Sequence, residues 1–142
     1  MDIALVIPLD AGRVHLVEQY RRPVGARSWE LPSGDVDPHD AGPAAAAARE
    51  LREETGLTAS SLTPLGVLDV HPSTLADRCH VFLATGLAPG PPDRDVGEQD
   101  MRSASFARAE LHRMVHDGML TDAKSLAAYA LLLVHEDGVQ AR

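Results

Sequence analysis

The stretch that most constrains how this chain can fold is residues 43–56. Pro43 suits the first turn of a helix, the five alanines that follow it have the highest helix propensity, and Gly56 suits the position just past a helix end. Runs rich in β-branched and other apolar residues lie on both sides of this segment. Strands interleaved with a few helices predict a layered α/β domain in which this helix packs on a sheet.

The flanking runs predict the order of the other elements. Residues 3–8 and 14–20 predict an opening hairpin, because Asp and Gly between them supply turn geometry. A short extended piece is expected at residues 29–32. The remaining predicted elements are strands over 62–70, 80–87 and 104–106, an acidic loop over 88–100, and helices over 109–116 and 121–135. We expect one domain over residues 1–142.

Composition limits the classes of function. A net charge of -8 argues against a protein held to nucleic acid or to an anionic membrane by bulk attraction. A polyanionic substrate would therefore need local Arg, Lys or a metal. The single cysteine, Cys79, cannot form an intrachain disulfide and is predicted to be buried in a strand. The sequence has neither a signal-peptide pattern nor an apolar stretch of about 20 residues, so we expect a cytoplasmic protein.

Three glutamates at the end of the predicted helix are hard to explain by folding alone. At about 100° per residue, Glu50, Glu53 and Glu54 project from one helix face. The carboxyl end of a helix carries partial negative charge, which disfavours each acid by about 0.3 to 1 kcal/mol. A divalent cation with a preference for carboxylate oxygens would explain the arrangement. The alternative is a solvated helix end in which Arg49 pairs with Glu53.

Residues 34–57 resemble the Nudix box, whose pattern is Gly, five residues, Glu, seven residues, and then Arg-Glu-apolar-any-Glu-Glu-any-Gly-apolar. All seven specified residues of the second half are present in the string RELREETGL. The first half departs from the pattern, because Gly34 lies 15 residues before Arg49 where the family has 14. Asp40 replaces the first glutamate, or Ala41 does if the gap falls earlier. One inserted residue therefore changes the loop more than the chemistry.

The resemblance implies a fold and a metal-dependent chemistry. The family fold is an α/β/α sandwich around a mixed β-sheet. By resemblance, Glu50, Glu53 and Glu54 are metal ligands, a backbone carbonyl at Ser33 or the glycine after it completes the shell, and Arg49 orients Glu53. The expected metal is Mg²⁺, with Mn²⁺ able to substitute. It would neutralise the bridging phosphates and polarise a water that attacks one phosphorus.

Segments outside the box resemble the ADP-ribose pyrophosphatases of this family. They are the strings VEQYRRP and WELPSG before the box, MVHDGMLTDAKS near the end, and Pro72, which lies 15 residues beyond Leu57. The resemblance implies that Arg21 contacts substrate phosphate, as suits a guanidinium fork, and that Trp29 and Glu30 contact the nucleoside. The alternatives are a solvated strand end for Arg21 and a packing role for Trp29.

Glu98 matches the loop glutamate that relatives bring over the metal when substrate binds. There it could ligate metal or take the proton from water. The alternative is a solvated acidic loop, and Asp93, Asp95 and Asp100 are rival candidates. Many of these enzymes carry extra N-terminal strands that exchange between subunits, whereas this sequence begins almost directly with the hairpin. We therefore expect a homodimer without assuming exchanged strands.

Together these observations predict an enzyme that hydrolyses the pyrophosphate bond of a small nucleoside diphosphate derivative. The expected reaction converts ADP-ribose to AMP and ribose 5-phosphate, with no nucleic acid or membrane as partner. One alternative is a Nudix hydrolase of another nucleotide, namely an NDP-sugar, a dinucleotide or a modified nucleoside triphosphate. The other is a Nudix module that senses a nucleotide without cutting it, which the intact Glu50, Glu53 and Glu54 argue against.

Overall fold

The structure is a computed structural model that describes residues 1–140. The predicted domain extends to residue 142, and its last two residues lie outside the described part. In chain order the elements are β1 (Ile3–Asp10), β2 (Arg13–Arg21), β3 (Ala26–Glu30), β4 (Ser33–Asp35), α1 (Pro43–Thr55), β5 (Thr58–Asp69), β6 (Arg78–Ala88), β7 (Arg102–Ala107), α2 (Arg108–His116) and α3 (Ala123–Gln140). A short 3₁₀ turn, Val96–Glu98, lies in the loop between β6 and β7.

The seven strands form one mixed sheet with β1 at its centre. The strand order is β3-β2-β1-β6-β5, while β4 pairs with β1 and β7 pairs with β2. β1 runs parallel to β6, and the other strand pairs are antiparallel. The first residues of β1 pair with β4, and its last two, Leu9 and Asp10, pair with β2. β1 therefore joins two halves of the sheet that would otherwise be separate.

Alternation along β1 divides the core into two layers. Successive side chains of a strand point to opposite faces of the sheet. Ala4 and Val6 pack with α1, whereas Leu5 and Ile7 belong to the cluster that includes buried residues of α2 and α3. Helices thus cover both faces of a mixed sheet. This confirms the α/β/α sandwich expected from the sequence.

The predicted helix is present with the predicted bounds, and it ends against a distant loop. Ala46 and Ala47 are fully buried on its sheet face, where their small side chains let α1 approach the sheet closely. Gly56 follows the helix with a left-handed φ of 80°, and its N–H donates a hydrogen bond to the carbonyl of Arg52. A Cβ at this position would lie 1.9 Å from the carbonyl oxygen of Gly90. The end of α1 is therefore in contact with the loop that follows β6.

The opening hairpin and the later elements are also present, with bounds set by pairing. β5 begins four residues earlier than predicted, because residues from Thr58 onward pair with β6. β3 begins before Trp29, because residues from Ala26 onward pair with β2. Cys79 is fully buried in β6, as predicted. Within residues 1–140, no helix combines the length and apolarity needed to cross a membrane.

Replacing Gly56 with alanine should lower the free energy of unfolding more than the same change at Gly12. Both glycines have a positive φ, which costs an alanine about 1 to 2 kcal/mol. At Gly12 a Cβ would meet nothing within 4 Å, whereas at Gly56 it would overlap the Gly90 carbonyl. Urea denaturation of G56A and G12A measures the difference. Equal losses in the two variants would contradict the contact between α1 and the loop.

Candidate functional site

The acidic end of α1 opens onto a cleft of about 480 Å³. Several predicted site residues line this cleft together, although they come from four separate parts of the chain. They are Arg21, Ser33, Arg49, Glu50, Glu54 and Glu98. Glu53, Trp29 and Glu30 are not among the residues that line it. The fold therefore gathers most of the predicted metal and catalytic residues around one space.

Glu54 is the most deeply buried acid of the cleft. Glu54 is only 1% exposed, and its Oε2 atom has no hydrogen-bond partner among the described residues. Burial raises the pKa of Glu54 to about 9, and the charges of Glu50 and Glu98 add to the rise, while a backbone hydrogen bond from Ser33 opposes it. A buried acceptor without a hydrogen-bond partner lowers the stability of the fold, so the free Oε2 atom points to a ligand at this position.

Glu50 lies beside it under similar constraints. The residue is 8% exposed, and burial raises the pKa of its carboxyl to about 7, although a hydrogen bond from Arg49 works in the opposite direction. Gly34 of β4 faces this carboxylate so closely that a Cβ there would lie 2.0 Å from Glu50 Oε1. The residue at position 34 must therefore be glycine for the carboxylate of Glu50 to keep its place.

Arg49 connects the helix to the loop that precedes it. Its Nε and Nη2 atoms donate to the two carboxylate oxygens of Asp40, at 3.0 and 2.9 Å. Its Nη1 atom donates to Glu50 at 2.9 Å and to Glu53 at 3.2 Å. The guanidinium of Arg49 lowers the pKa of Asp40. Of the two residues considered for the first glutamate of the box, Asp40 and not Ala41 thus contacts the box arginine.

Arg21 and Glu30 form an ion pair in which Glu30 is buried and Arg21 stays partly exposed. Arg21 Nε and Nη2 donate to the two oxygens of Glu30 at 2.8 and 2.7 Å, and Glu30 is 3% exposed. Trp29 packs edge-on against Phe106, with ring centroids 5.1 Å apart. All three predicted substrate-binding residues line a second cavity of about 790 Å³. Trp29 therefore has the packing contact considered from the sequence and also borders an open space.

The loop before β7 supplies hydrogen-bond donors to the end of α1. The backbone N–H of Asp93 donates to the carbonyl of Glu53 at 2.8 Å, and Arg94 Nε donates to the carbonyl of Glu54 at 3.0 Å. These groups satisfy two of the carbonyls that a helix end leaves without partners. The positive charge of Arg94 also offsets the partial negative charge at this helix end.

The same loop brings Glu98 to the cleft. Glu98 and Asp95 both line it, and the Asp95 N–H donates to Glu98 Oε1 at 3.4 Å. Asp100 is instead bound by Arg27, at 3.1 Å, and Asp93 lies 3.9 Å from Arg52 without lining the cleft. Of the four acids considered from the sequence, Glu98 and Asp95 are placed to act in this space.

Two charged features of the site were not identified from the sequence. Lys124 at the start of α3 lines both the cleft and the larger cavity. Glu18, a residue 8% exposed in β2, accepts hydrogen bonds from Arg27 and Arg102. As the sole lysine of an acidic chain, Lys124 could have been singled out from composition. The pairing of Glu18 depends on strands that are distant in sequence.

The oxygens of the cleft fit a hard divalent cation. Within residues 1–140, no three side chains of the His, Cys, Asp or Glu type are already gathered into a metal shell. Mg²⁺ does not need such a shell, because it keeps several waters and binds through one or two carboxylates together with substrate phosphate. The partnerless Oε2 of Glu54 and the neighbouring carboxylate of Glu50 are donors of this kind.

Comparison with known proteins places this geometry in a family. The family model of the NUDIX domain matches residues 1–129. The chain is 40% identical over 134 residues to the ADP-ribose pyrophosphatase of Mycobacterium tuberculosis, a match that covers 94% of this chain and 64% of that protein. It is 30% identical over 135 residues to the ADP-ribose pyrophosphatase of Bacillus subtilis, with coverage of 94% and 72%. The chain thus spans just under two thirds of the length of the mycobacterial relative.

A solved structure shows the same fold. The crystal structure of an ADP compounds hydrolase superposes with a TM-score of 0.87 at 22% identity, covering 96% of this chain and 73% of that one. At this level of identity the likeness concerns the path of the backbone. It agrees with the layers and the sheet order described above.

Without metal, the free energy of unfolding should fall as pH rises from about 5 to about 9. The folded-state pKa values of Glu50 and Glu54 lie above the ordinary 4.5, at about 7 and about 9. The folded state therefore binds more protons than the unfolded state in this range, and raising the pH favours unfolding. The melting temperature in EDTA, measured from pH 5 to 9, tests this.

Two variants identify the groups responsible. E54Q, which stays neutral, should flatten the pH dependence, whereas D137N, at an exposed position of α3, should leave it unchanged. Added Mg²⁺ should raise the melting temperature more at pH 9 than at pH 5, because it binds the ionised carboxylates. A wild-type slope in E54Q would show that Glu54 is not the group that titrates.

Proposed function

Since the chain belongs to the Nudix family, we propose that it hydrolyses the pyrophosphate bond of ADP-ribose, giving AMP and ribose 5-phosphate. The observation that carries the proposal is the pair of buried acids, Glu50 and Glu54, on a cleft that also contains Glu98. The two relatives named ADP-ribose pyrophosphatase, at 40% and 30% identity, support this choice of substrate.

In this proposal Glu50 and Glu54 hold the metal, together with the backbone carbonyl of Ser33. Glu53 is the third ligand, and the 3.2 Å hydrogen bond from Arg49 orients it, although Glu53 does not line the cleft. The metal, when bound, supplies the positive charge that offsets the phosphates and activates water. Arg49 has a second task, because its bonds to Asp40 fix the loop that leads into the helix.

Glu98 takes the proton from the attacking water. A carboxylate on a loop can approach the phosphorus once substrate has bound, and Glu98 already lines the cleft beside the metal ligands. Its loop is attached to α1 by hydrogen bonds from Asp93 and Arg94 to the Glu53 and Glu54 carbonyls. Asp95 is the second candidate for this role, because it lines the same space.

The nucleoside occupies the larger cavity. Trp29 offers a ring edge or face there for contact with a base, and Arg21 lies on the wall between the cavity and the cleft. Glu30 is buried against Arg21, so in this proposal it acts by fixing the guanidinium that meets phosphate. Arg21 thus provides an oriented cation between the base and the cleavage site.

Three further parts of the proposal concern conditions and assembly. The metal is Mg²⁺, with Mn²⁺ able to substitute, because the donors are hard carboxylate oxygens. The protein is a homodimer, which sedimentation at several concentrations tests. The cytoplasm remains the predicted location.

Product-resolved hydrolysis of a substrate panel tests the function. With Mg²⁺, ADP-ribose should give AMP and ribose 5-phosphate faster than sugar nucleotides, dinucleotides or nucleoside triphosphates give products. E54Q should lower the rate more than about 100-fold, since losing even a residue that supports a metal ligand costs 10 to 100-fold. E110Q is the matched control, because Glu110 lies on α2 outside the lining of the cleft.

Each other result corrects a specific part of the proposal. Turnover of a different compound alone would keep the mechanism and overturn the substrate. Binding of ADP-ribose without turnover of any compound would favour a nucleotide sensor. An unchanged rate in E54Q would remove Glu54 from the metal site.

A further inference from the structure

Two cations, Arg21 and Lys124, line both the acidic cleft and the larger cavity beside Trp29. The cleft that holds the acids and the larger cavity beside Trp29 have only Arg21 and Lys124 in common among their lining residues. A ligand that occupies both cavities would lie beside these two side chains. In a chain with a net charge of -8, such a pairing of positive charges at a junction is not explained by composition.

Lys124 is held at this junction by the start of α3. Asp122 Oδ2 accepts hydrogen bonds from the N–H and the hydroxyl of Ser125, which fixes the first turn of the helix. The other oxygen of Asp122 lies 3.2 Å from Lys124 Nζ. An ammonium group has three donors. One contact with Asp122 therefore leaves donors for a ligand, and the side chain is 24% exposed.

Arg21 is less available for a flexible contact. Two nitrogens on one edge of its guanidinium donate to the buried carboxylate of Glu30. Its orientation is therefore fixed, and much of its charge is balanced by a partner that cannot move into solvent. Lys124 has a longer flexible stem and a compact charge that can follow a phosphate as it enters.

We propose that Lys124 binds the phosphate that links the nucleoside in the larger cavity to the bond cut in the cleft. This inference rests on the proposed function and deepens it, because it assigns selectivity for diphosphate-linked nucleosides to one side chain. Lys124 recognises the linking phosphate, and Arg21 provides a fixed positive charge on the same wall. A nucleoside without phosphate gains nothing from Lys124.

Binding of α,β-methylene-ADP, an analogue with a bridging carbon in place of the scissile oxygen, tests the assignment without turnover. With Mg²⁺ present, K124M should weaken its binding about tenfold in calorimetry, the usual effect of losing one hydrogen bond to a charged group. Adenosine, which lacks phosphate, should bind K124M as it binds the wild type. K124R, which keeps the charge, should retain most of the affinity.

R113M controls for the loss of one positive charge. Arg113 is exposed on α2 and is not among the lining residues of either cavity. This variant should bind the analogue as the wild type does. Melting temperatures of K124M and R113M within a few degrees of the wild type would establish that both fold.

Kinetics provides a second measurement. For ADP-ribose, K124M should raise KM while changing kcat little, because a contact made equally in the ground and transition states affects binding alone. Unchanged KM and unchanged affinity for the analogue would overturn the inference. So would an equal loss of affinity for adenosine, since it would indicate a general disturbance of the cavity.

The failure of this inference can be distinguished from the failure of the proposed function. Hydrolysis of ADP-ribose with no effect of K124M would overturn the inference alone. Binding of the analogue that depends on Lys124, in a protein that hydrolyses none of the panel, would overturn the proposed function and support the inference. A wild-type protein that neither binds the analogue nor hydrolyses ADP-ribose would overturn both.

Discussion

A carboxylate cannot be buried without compensation, and this constraint governs the site and the elements around it. Glu54 is 1% exposed with one oxygen lacking a partner among the described residues, and Glu50 lies beside it. In an apolar surrounding such groups either take up a proton or pair with a cation. The structure provides no arginine contact to the free oxygen within residues 1–140. Burying these acids without a partner costs free energy, and a bound cation would relieve that cost.

The position of these acids depends on how closely α1 meets the sheet. Alanines on the sheet face of the helix allow the approach, and Gly34 leaves room for the carboxylate of Glu50 that no larger residue would leave. Arg49 then connects the helix to its preceding loop, and Arg94 connects it to the loop of Glu98. Helix, strand and both loops are thus connected around the cleft. Electrostatic preorganisation of this kind is the largest contribution that many enzymes make to catalysis.

The parts of this arrangement that could be predicted from the sequence are those determined by local chemistry. The two ends of α1 were predicted correctly from Pro43, the alanines and Gly56, because helix propensity and capping act over a few residues. The resemblance to the box pointed to the acids, and the fold brings Glu50 and Glu54 to one cleft. The pair of Arg21 with Glu30 and the place of Lys124 between two cavities could not be predicted. The first follows from the pairing of β2 with β3, and the second from the return of α3 to the sheet, which depends on residues far apart in sequence.

The chain's single lysine lies where the two cavities meet, and this gives the molecule a natural reporter position. An amine-reactive dye has two targets in this sequence, the side chain of Lys124 and the N-terminal amine. The N-terminal amine donates a hydrogen bond to Asp77. The rate at which such a reagent modifies Lys124 will depend on what fills either cavity. Protection from labelling, read by mass spectrometry of the peptide that contains Lys124, can therefore report occupancy of both compartments from a single atom.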